Sequence, residues 1–531
     1  MKALSVTVRR QSLIAGLLAL LLFCAGVYGQ APIGFDSRFV LFAQEMLRHG
    51  PTVFPTTYGQ PYADYTSLST LFIWLLSLPF GAVNGLSAWL PSAIAGAVIV
   101  TLMYRLLAPF SLRWAWSSIA MLLLTATFVS EVRAVSQDLM LAAVAFSVFY
   151  LGYAHDQRAA GRRWPLVFAL LLLGFGIRGP IGLVVPTGML CSYYLLTGQW
   201  RRMLLFGVLA SLLLVASVCL LLWLAKASGG QAFLDDVIRM QFMGRMDGSE
   251  GASSPLYYFT SALGNYALAY PLALLALVAA WLRRAQLQGP ALRLVGYCAA
   301  AALLVMVGLS IPLAKKARYL LPMLPMVAII AAYPFQVAQG RLFAWLRGAI
   351  QGLWLLIPGL MMIALLVAQR RFPEETGSIT VLMVVLAALQ LWALSRLVQS
   401  HWRGEVTAGC AVMALWLVYV AVFEPVERRL YDTRSFTQAV ATQVAQQPAP
   451  LVLHRLGQDA KAIKFMVNLD QDLQPLFTET PAQLQAVQGP AWLMMNRHDF
   501  QALQGTPMRA LQPQLSGRFD NNDYVLVYLR R

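Results

Sequence analysis

The chain has 531 residues, of which 59% are hydrophobic and only 12% charged, a composition too apolar for a soluble globular protein of this length. Its formal net charge of +17 would suggest nucleic acid in a soluble chain. Here Arg and Lys sit mainly between apolar runs, where they orient helices and meet lipid phosphates, so nucleic-acid binding is set aside.

Apolar runs long enough to cross a hydrocarbon core of roughly 30 Å, at about 20 residues each, recur from Leu13 to Phe423. Lipid-exposed backbone must satisfy its own hydrogen bonds, so the predicted fold is an all-α polytopic membrane bundle spanning residues 1–423. Arg9 and Arg10 precede the first run. A cleavable leader reads similarly, but the spans that follow need an orienting first helix, which places the N-terminus in the cytoplasm. Residues 30–67 are too polar to insert and form a first external loop, within which Asp36–Arg48 has the spacing of an amphipathic interfacial helix.

Leu68–Val83, Ser87–Leu107 and Trp114–Val129 are apolar, as is Leu139–Tyr153. The basic turn Arg158, Arg162, Arg163 belongs inside, so one of the first three segments is expected to be re-entrant, interfacial or merged with its neighbour. Charges then alternate sides: Arg178 outside, Arg201 and Arg202 inside, a polar loop Lys226–Ser254 outside, Arg283 and Arg284 inside. Lys315, Lys316 and Arg318 break the rule by falling outside, and binding an anionic group is the simplest reason. Further spans are expected near Phe343–Ala368, Ile379–Leu397 and Thr407–Phe423. From Glu424 to Arg531 the composition turns mixed and polar, which predicts a small soluble α/β domain, external by the same count, with strands at Leu451–His454, Trp492–Met495 and Tyr524–Leu529 and a helix at Ser435–Gln446. No internal repeat is evident. Cys24, Cys191, Cys219, Cys298 and Cys410 lie in apolar runs without ligand spacing and read as packing residues.

Four groups carry candidate chemistry. Asp36, at the start of the first loop, can face water and a substrate entering from the membrane surface, although an acidic residue there is also an ordinary helix cap. Asp64, with Tyr62, closes the same loop and has the same two readings. Asp138 lies at the mouth of a span with Arg133 five residues earlier, an arrangement that also suits an ion pair anchoring a helix end. Arg178 interrupts an apolar run in Gly176-Ile177-Arg178-Gly179-Pro180, and charge at membrane depth is costly and mostly functional. Lys315, Lys316 and Arg318, followed by Tyr319, offer donors suited to phosphate oxygens. Carboxylates and cations on one membrane face fit transfer of a group from a phosphate-bearing lipid, with a carboxylate as general base and cations stabilising the departing phosphate. No nucleotide-cradling glycine loop, HExxH or nucleophile elbow is present.

In this order of motifs the sequence resembles the bacterial dolichyl-phosphate-mannose protein mannosyltransferase superfamily, in the branch containing the lipid A aminoarabinose transferase. The residues concerned are Asp36 followed by Gln44-Glu45-Met46-Leu47, Gly59-Gln60-Pro61-Tyr62-Ala63-Asp64, Arg133 to Asp138, Arg178-Gly179-Pro180, and Lys315 to Pro325. The resemblance implies a GT-C bundle of about thirteen spans in a bacterial inner membrane, with a periplasmic active site and a periplasmic C-terminal domain. It further implies an undecaprenyl-phosphate-linked sugar as donor, Asp36 as general base, Arg178, Lys315, Lys316 and Arg318 as phosphate ligands, and inversion at the sugar carbon. Two departures stand out. The acidic-Lys-Pro-Pro run usual at the end of the first loop is here Asp64-Tyr65-Thr66-Ser67, and Lys226–Ser254 contains no histidine, so a histidine-supported metal site has no counterpart.

The expected partners are membrane lipids, the lipid-linked donor and a lipid A, glycan or protein acceptor; the chain is expected to act as a monomer, and no cofactor is called for by the sequence, which leaves dependence on a divalent metal open. A transporter or flippase of a lipid-linked or anionic substrate is the rival from another class, since intramembrane charge also marks transport paths.

Overall fold

The computed structural model describes residues 6–64, 66–158, 161, 163–248, 251, 253–396, 403–469, 473–487, 489–503 and 511–530. Tyr65, Arg162, Leu397 and Arg531, named above, lie outside them. Among the described residues, eight helices are long and apolar enough to cross a membrane, or ten if each of two bent pairs is one span. The chain is a multi-pass membrane protein.

Helix α1 (Val6–Cys24) packs lengthwise on α4 (Gly85–Leu107), with Ala15, Ala19 and Phe23 buried in the main core. Between them run α2 (Asp36–His49), a two-residue hairpin of β1 (Thr56–Thr57) and β2 (Gln60–Pro61), and α3 (Leu68–Ser77). At 1.5 Å per residue, the ten residues of α3 reach only about half the thickness of a hydrocarbon core. Helices α5 (Leu112–Leu123) and α6 (Ala126–Val132) meet at a 73° bend. These two irregular elements occupy the stretch where the charge pattern asked for one segment fewer.

Helix α7 (Gln137–Arg158) is almost wholly buried and packs against α4, α8 (Trp164–Arg178) and α9 (Pro180–Leu196). The α8–α9 connection is a reversal at Gly179, whose φ of 65° favours glycine. Pro180 then opens α9 with its fixed φ. Below the turn the backbones nearly touch: a Cβ on Gly174 would lie 2.1 Å from the Gly182 carbonyl oxygen, and one on Gly182 would lie 1.8 Å from that of Gly174.

The stretch expected to be a polar loop, Lys226–Ser254, is largely helical. Helix α10 (Trp200–Ile238) is broken at Gly229 and Gly230 and resumes beyond them. Phe233, Val237 and Gln241 lie buried on one face of the second segment, Phe233 against Phe54 at 5.0 Å between ring centroids. Low mean hydropathy hid this helix, because its polar face outweighs its narrow apolar stripe.

The last long helix runs unbroken from Gly404 to Leu430. Beyond it, helix Arg434–Gln446 leads into a five-stranded sheet of β3 (Leu451–His454), β4 (Leu476–Thr478), β5 (Ala491–Asn496), β6 (Pro513–Phe519) and β7 (Asn522–Leu529), ordered β4-β3-β5-β7-β6. The first three are parallel neighbours, and β7 pairs antiparallel with β5 and β6. Strand alternation separates two cores: Leu453, Trp492, Met494 and Leu526 face helix Arg434–Gln446 and α2, while Val452, Leu493, Met495 and Val527 face the opposite way.

Helix α2 is therefore held on both sides. Arg38, Gln44 and Arg48 donate to the carbonyls of Asp459, Val467 and Leu469 at 2.7, 3.1 and 2.8 Å, and Phe39, Val40 and Phe42 join the same apolar cluster as Trp89 and Phe465. Crowding at the α8–α9 contact generates a test. Gly182→Ala should destabilise the chain by about 1–3 kcal/mol, the usual cost of overpacking, seen as a lower thermal midpoint in detergent; an unchanged midpoint would contradict the close approach.

Candidate active site

Asp36 is the first residue of α2. Its Oδ2 accepts from Trp89 Nε1 at 2.7 Å and its Oδ1 from the Val135 N–H at 3.1 Å. Burial pushes its carboxyl up to about 6; the two hydrogen bonds and the more distant Arg428 and Arg318 hold it from rising further. It is thus a carboxylate that titrates near neutrality, as a general base requires.

A cavity of about 610 Å³ opens over Asp36. Its walls are Phe35, Glu131, Arg133 to Val135, Arg318, Glu424, Glu427 and Arg428 of the last long helix with Tyr431 just beyond it, and Lys464 with Asp520 to Asn522 of the tail. The tail thus contributes walls to this cavity. Lys464 and Asp520 are paired at 2.8 Å, which leaves that edge nearly neutral.

Beside the cavity lies a cation cluster organised by Asp138. Arg178 Nε donates to Asp138 Oδ1 at 3.0 Å and its Nη1 to Gln137 Oε1 at 3.1 Å. Arg318 Nε lies 3.2 Å from Asp138 Oδ2. Tyr319 underlies Arg178 at 5.1 Å. Phe35 is shared by three cations, with Arg318 at 4.3 Å, Arg38 at 5.5 Å and Lys316 at 5.9 Å from its centroid. Lys315 is buried and donates to the Ser253 carbonyl at 3.2 Å. Asp138, expected as a catalytic carboxylate, is flanked by two guanidiniums and lies outside the residues lining the cavity.

The pairing of Asp138 with Arg133 suggested by their spacing does not form. Helix α7 starts at Gln137, and Arg133 on the preceding turn points to the end of α1. Its Nη1 donates to the carbonyls of Phe23 and Ala25 at 2.8 and 2.9 Å. Its Nε and Nη2 grip Glu424 at 2.6 and 2.7 Å. Both partners are buried, so this fork locks the first, middle and last parts of the chain together. Tyr62 and Asp64 lie outside the residues lining the cavity: Arg38 stands over the Tyr62 ring at 5.3 Å and reaches Asp64 at 4.0 Å, so both support α2.

Sequence reasoning did not single out Trp89, Glu131, Glu424, Arg428 or Lys464. Glu131 and Glu424 each end an apolar run, and that signal could have marked them; Trp89 sits within one and carries no such mark. Among the described residues, no group of three or more His, Cys, Asp or Glu side chains is placed to hold a metal ion.

Comparisons with known proteins bear on the fold. Residues 64–224 match the sequence profile of the dolichyl-phosphate-mannose-protein mannosyltransferase family. A comparison with curated proteins found no match. Among solved structures, the fold is similar to ArnT from Cupriavidus metallidurans bound to undecaprenyl phosphate, with a TM-score of 0.70 and 17% identity over 98% of this chain and 97% of that one. The apo state of the same protein gives a TM-score of 0.68, at 17% identity and the same coverage. The resemblance seen in the motifs thus extends to the fold along nearly the whole chain, a GT-C-like bundle with a small strand-containing C-terminal domain.

Because the Arg133–Glu424 pair is buried, removing one member strands the other. Arg133→Met alone should cost about 3–5 kcal/mol, and adding Glu424→Met should restore most of it. Thermal melting of the two singles and the double checks this, and additive losses would contradict the coupling of the two charges.

Proposed function

We propose that this protein is an inverting glycosyltransferase. It moves a monosaccharide from an undecaprenyl-phosphate-linked donor to an envelope acceptor at the periplasmic face of a bacterial inner membrane. The observation that carries the reading is the meeting, at one cavity, of a carboxylate tuned to about 6 and Arg318, the nearest member of a cation cluster. The ArnT fold adds support, since one of those structures holds undecaprenyl phosphate.

In the proposed reaction the acceptor hydroxyl oxygen attacks the sugar carbon that bears the phosphate. Asp36 takes the hydroxyl proton, the bond from carbon to phosphate oxygen breaks, and undecaprenyl phosphate leaves with the electron pair. One displacement inverts the carbon. Arg318 and Arg178, joined by Lys315 and Lys316, stabilise the charge gathering on the phosphate oxygens. Asp138 holds two of these cations in place, so that a full positive charge remains for the phosphate. Asp36 acts as base only when ionised, so transfer should rise with pH through about 6 and level off above it. Arg9, Arg10, Arg163, Arg201, Arg202, Arg283 and Arg284 then fall on the cytoplasmic side.

A transporter would place its charges near the bilayer midplane at the junction of related halves; here they gather at one end, beneath a tail that is not repeated. The test is release of undecaprenyl phosphate from a panel of undecaprenyl-phosphate sugars by the purified chain in lipid nanodiscs, with envelope extract as acceptor. Asp36→Asn should lower release by about 100- to 10,000-fold, the range of general-base effects, and Arg318→Ala by roughly 100-fold or more. Undiminished release by Asp36→Asn would remove the base from this assignment.

A further inference from the structure

We propose that Trp89 is a positioning residue for Asp36, its indole N–H orienting the carboxylate while Arg428 clamps the indole in place. The inference rests on the reading of Asp36 as general base and adds the device that aims it.

The geometry begins one turn earlier. Asn84 caps α4 through a reciprocal pair with Ser87, at 3.0 Å from the Ser87 N–H to Asn84 Oδ1 and 3.1 Å from the Asn84 N–H to Ser87 Oγ. Ser77 fixes Ser87 from α3 at 2.8 Å. Trp89 follows two residues on, buried to 2% exposure. Its N–H meets Asp36 Oδ2 at 2.7 Å, the short length of a bond to a charged acceptor. The Arg428 guanidinium lies 4.4 Å from the ring centroid and also donates to the Ala31 carbonyl, so the plate cannot tilt without disturbing the loop before α2. Trp89 lines a second cavity of about 480 Å³ on the tail side of α2, whereas Asp36 and Arg428 line the first. The indole is therefore both a donor and a wall, a combination that an amide side chain would not provide.

Other charges near Asp36 do not replace this bond. Glu424 is bound by Arg133 and Asp520 by Lys464. Arg318 is engaged by Asp138; Lys316 stands against Phe35, and Glu131 accepts from Ser136. Glu427 lies with Arg428 on the cavity wall. Removing the indole N–H leaves the carboxylate with one backbone donor, which disfavours its ionised form.

The experiment is an infrared pH titration of the full-length protein, following the protonated-carboxyl band that Asp36→Asn abolishes. The wild-type midpoint should fall at about 6, and Trp89→Phe should raise it by about one pH unit. The acid limb of transfer should move up by the same amount, so that raising the pH restores activity. Trp89→Leu, which also lacks the N–H and leaves the Arg428 charge in place, should shift the midpoint in the same direction and serves if Trp89→Phe does not insert. Equal midpoints in the wild type and the variant that inserts would overturn the proposal. Transfer that persists in Asp36→Asn would instead overturn the general-base reading, while the shift of the Asp36 band would still report the Trp89 contact.

Discussion

Asp138 lies between two arginines contributed by segments remote in sequence, Arg178 at the end of α8 and Arg318 beyond Lys315. Charge near the hydrocarbon boundary is tolerated only when paired or solvated, so this carboxylate fixes where α8 ends and where the Lys315–Tyr319 segment lies. It neutralises one of two guanidiniums, and an excess of positive charge remains at the cavity edge. An apolar residue at position 138 would leave two like charges, one buried and one half-buried, facing each other, whereas a second carboxylate would cancel the excess positive charge. The proposed anion site therefore depends on the imbalance as much as on the cations.

A second constraint acts on α2. Its N-terminal residue carries the proposed base, and its faces are gripped by the bundle and by the tail. The Arg133–Glu424 fork pulls the end of α1 and the last long helix against the same cavity, while Arg38, Gln44 and Arg48 tie α2 to tail carbonyls. Proximity and orientation are worth several kcal/mol in catalysis only if the reacting group is held rigidly. A terminal helix residue in an external loop would be poorly placed for that without the tail. We read the C-terminal domain as structural support for α2 that also supplies one wall of the cavity.

Much of this was legible in the sequence, for physical reasons. Apolar runs announce spans, and the amphipathic stretch Asp36–Arg48 announced α2. Arg178 stood out because charge is rare at membrane depth, and the Lys315–Arg318 group because it broke the rule that keeps positive charge inside. Strands β3, β5 and β7 were readable as buried runs, whereas the edge strands β4 and β6, each with only its last residue buried, gave no such signal. What sequence could not supply was pairing across long separations: Arg133 with Glu424, Trp89 with Asp36, Asp138 with Arg318. Local spacing favoured Arg133 as the partner of Asp138, and the start of α7 turned the two side chains apart. The helix after Gly230 was hidden because its stripe of Phe233, Val237 and Gln241 is narrow.

The central claim is that Asp36 drives transfer of a sugar from a lipid-linked donor to an envelope component. Mass spectrometry of the lipids, envelope glycans and envelope proteins of cells carrying the wild-type chain or Asp36→Asn, at equal membrane expression, tests it most directly. One pool should lose a sugar-sized mass in Asp36→Asn while the lipid-linked donor accumulates. Identical pools, with the donor present in both, would contradict the account and favour a transport role for the same charges.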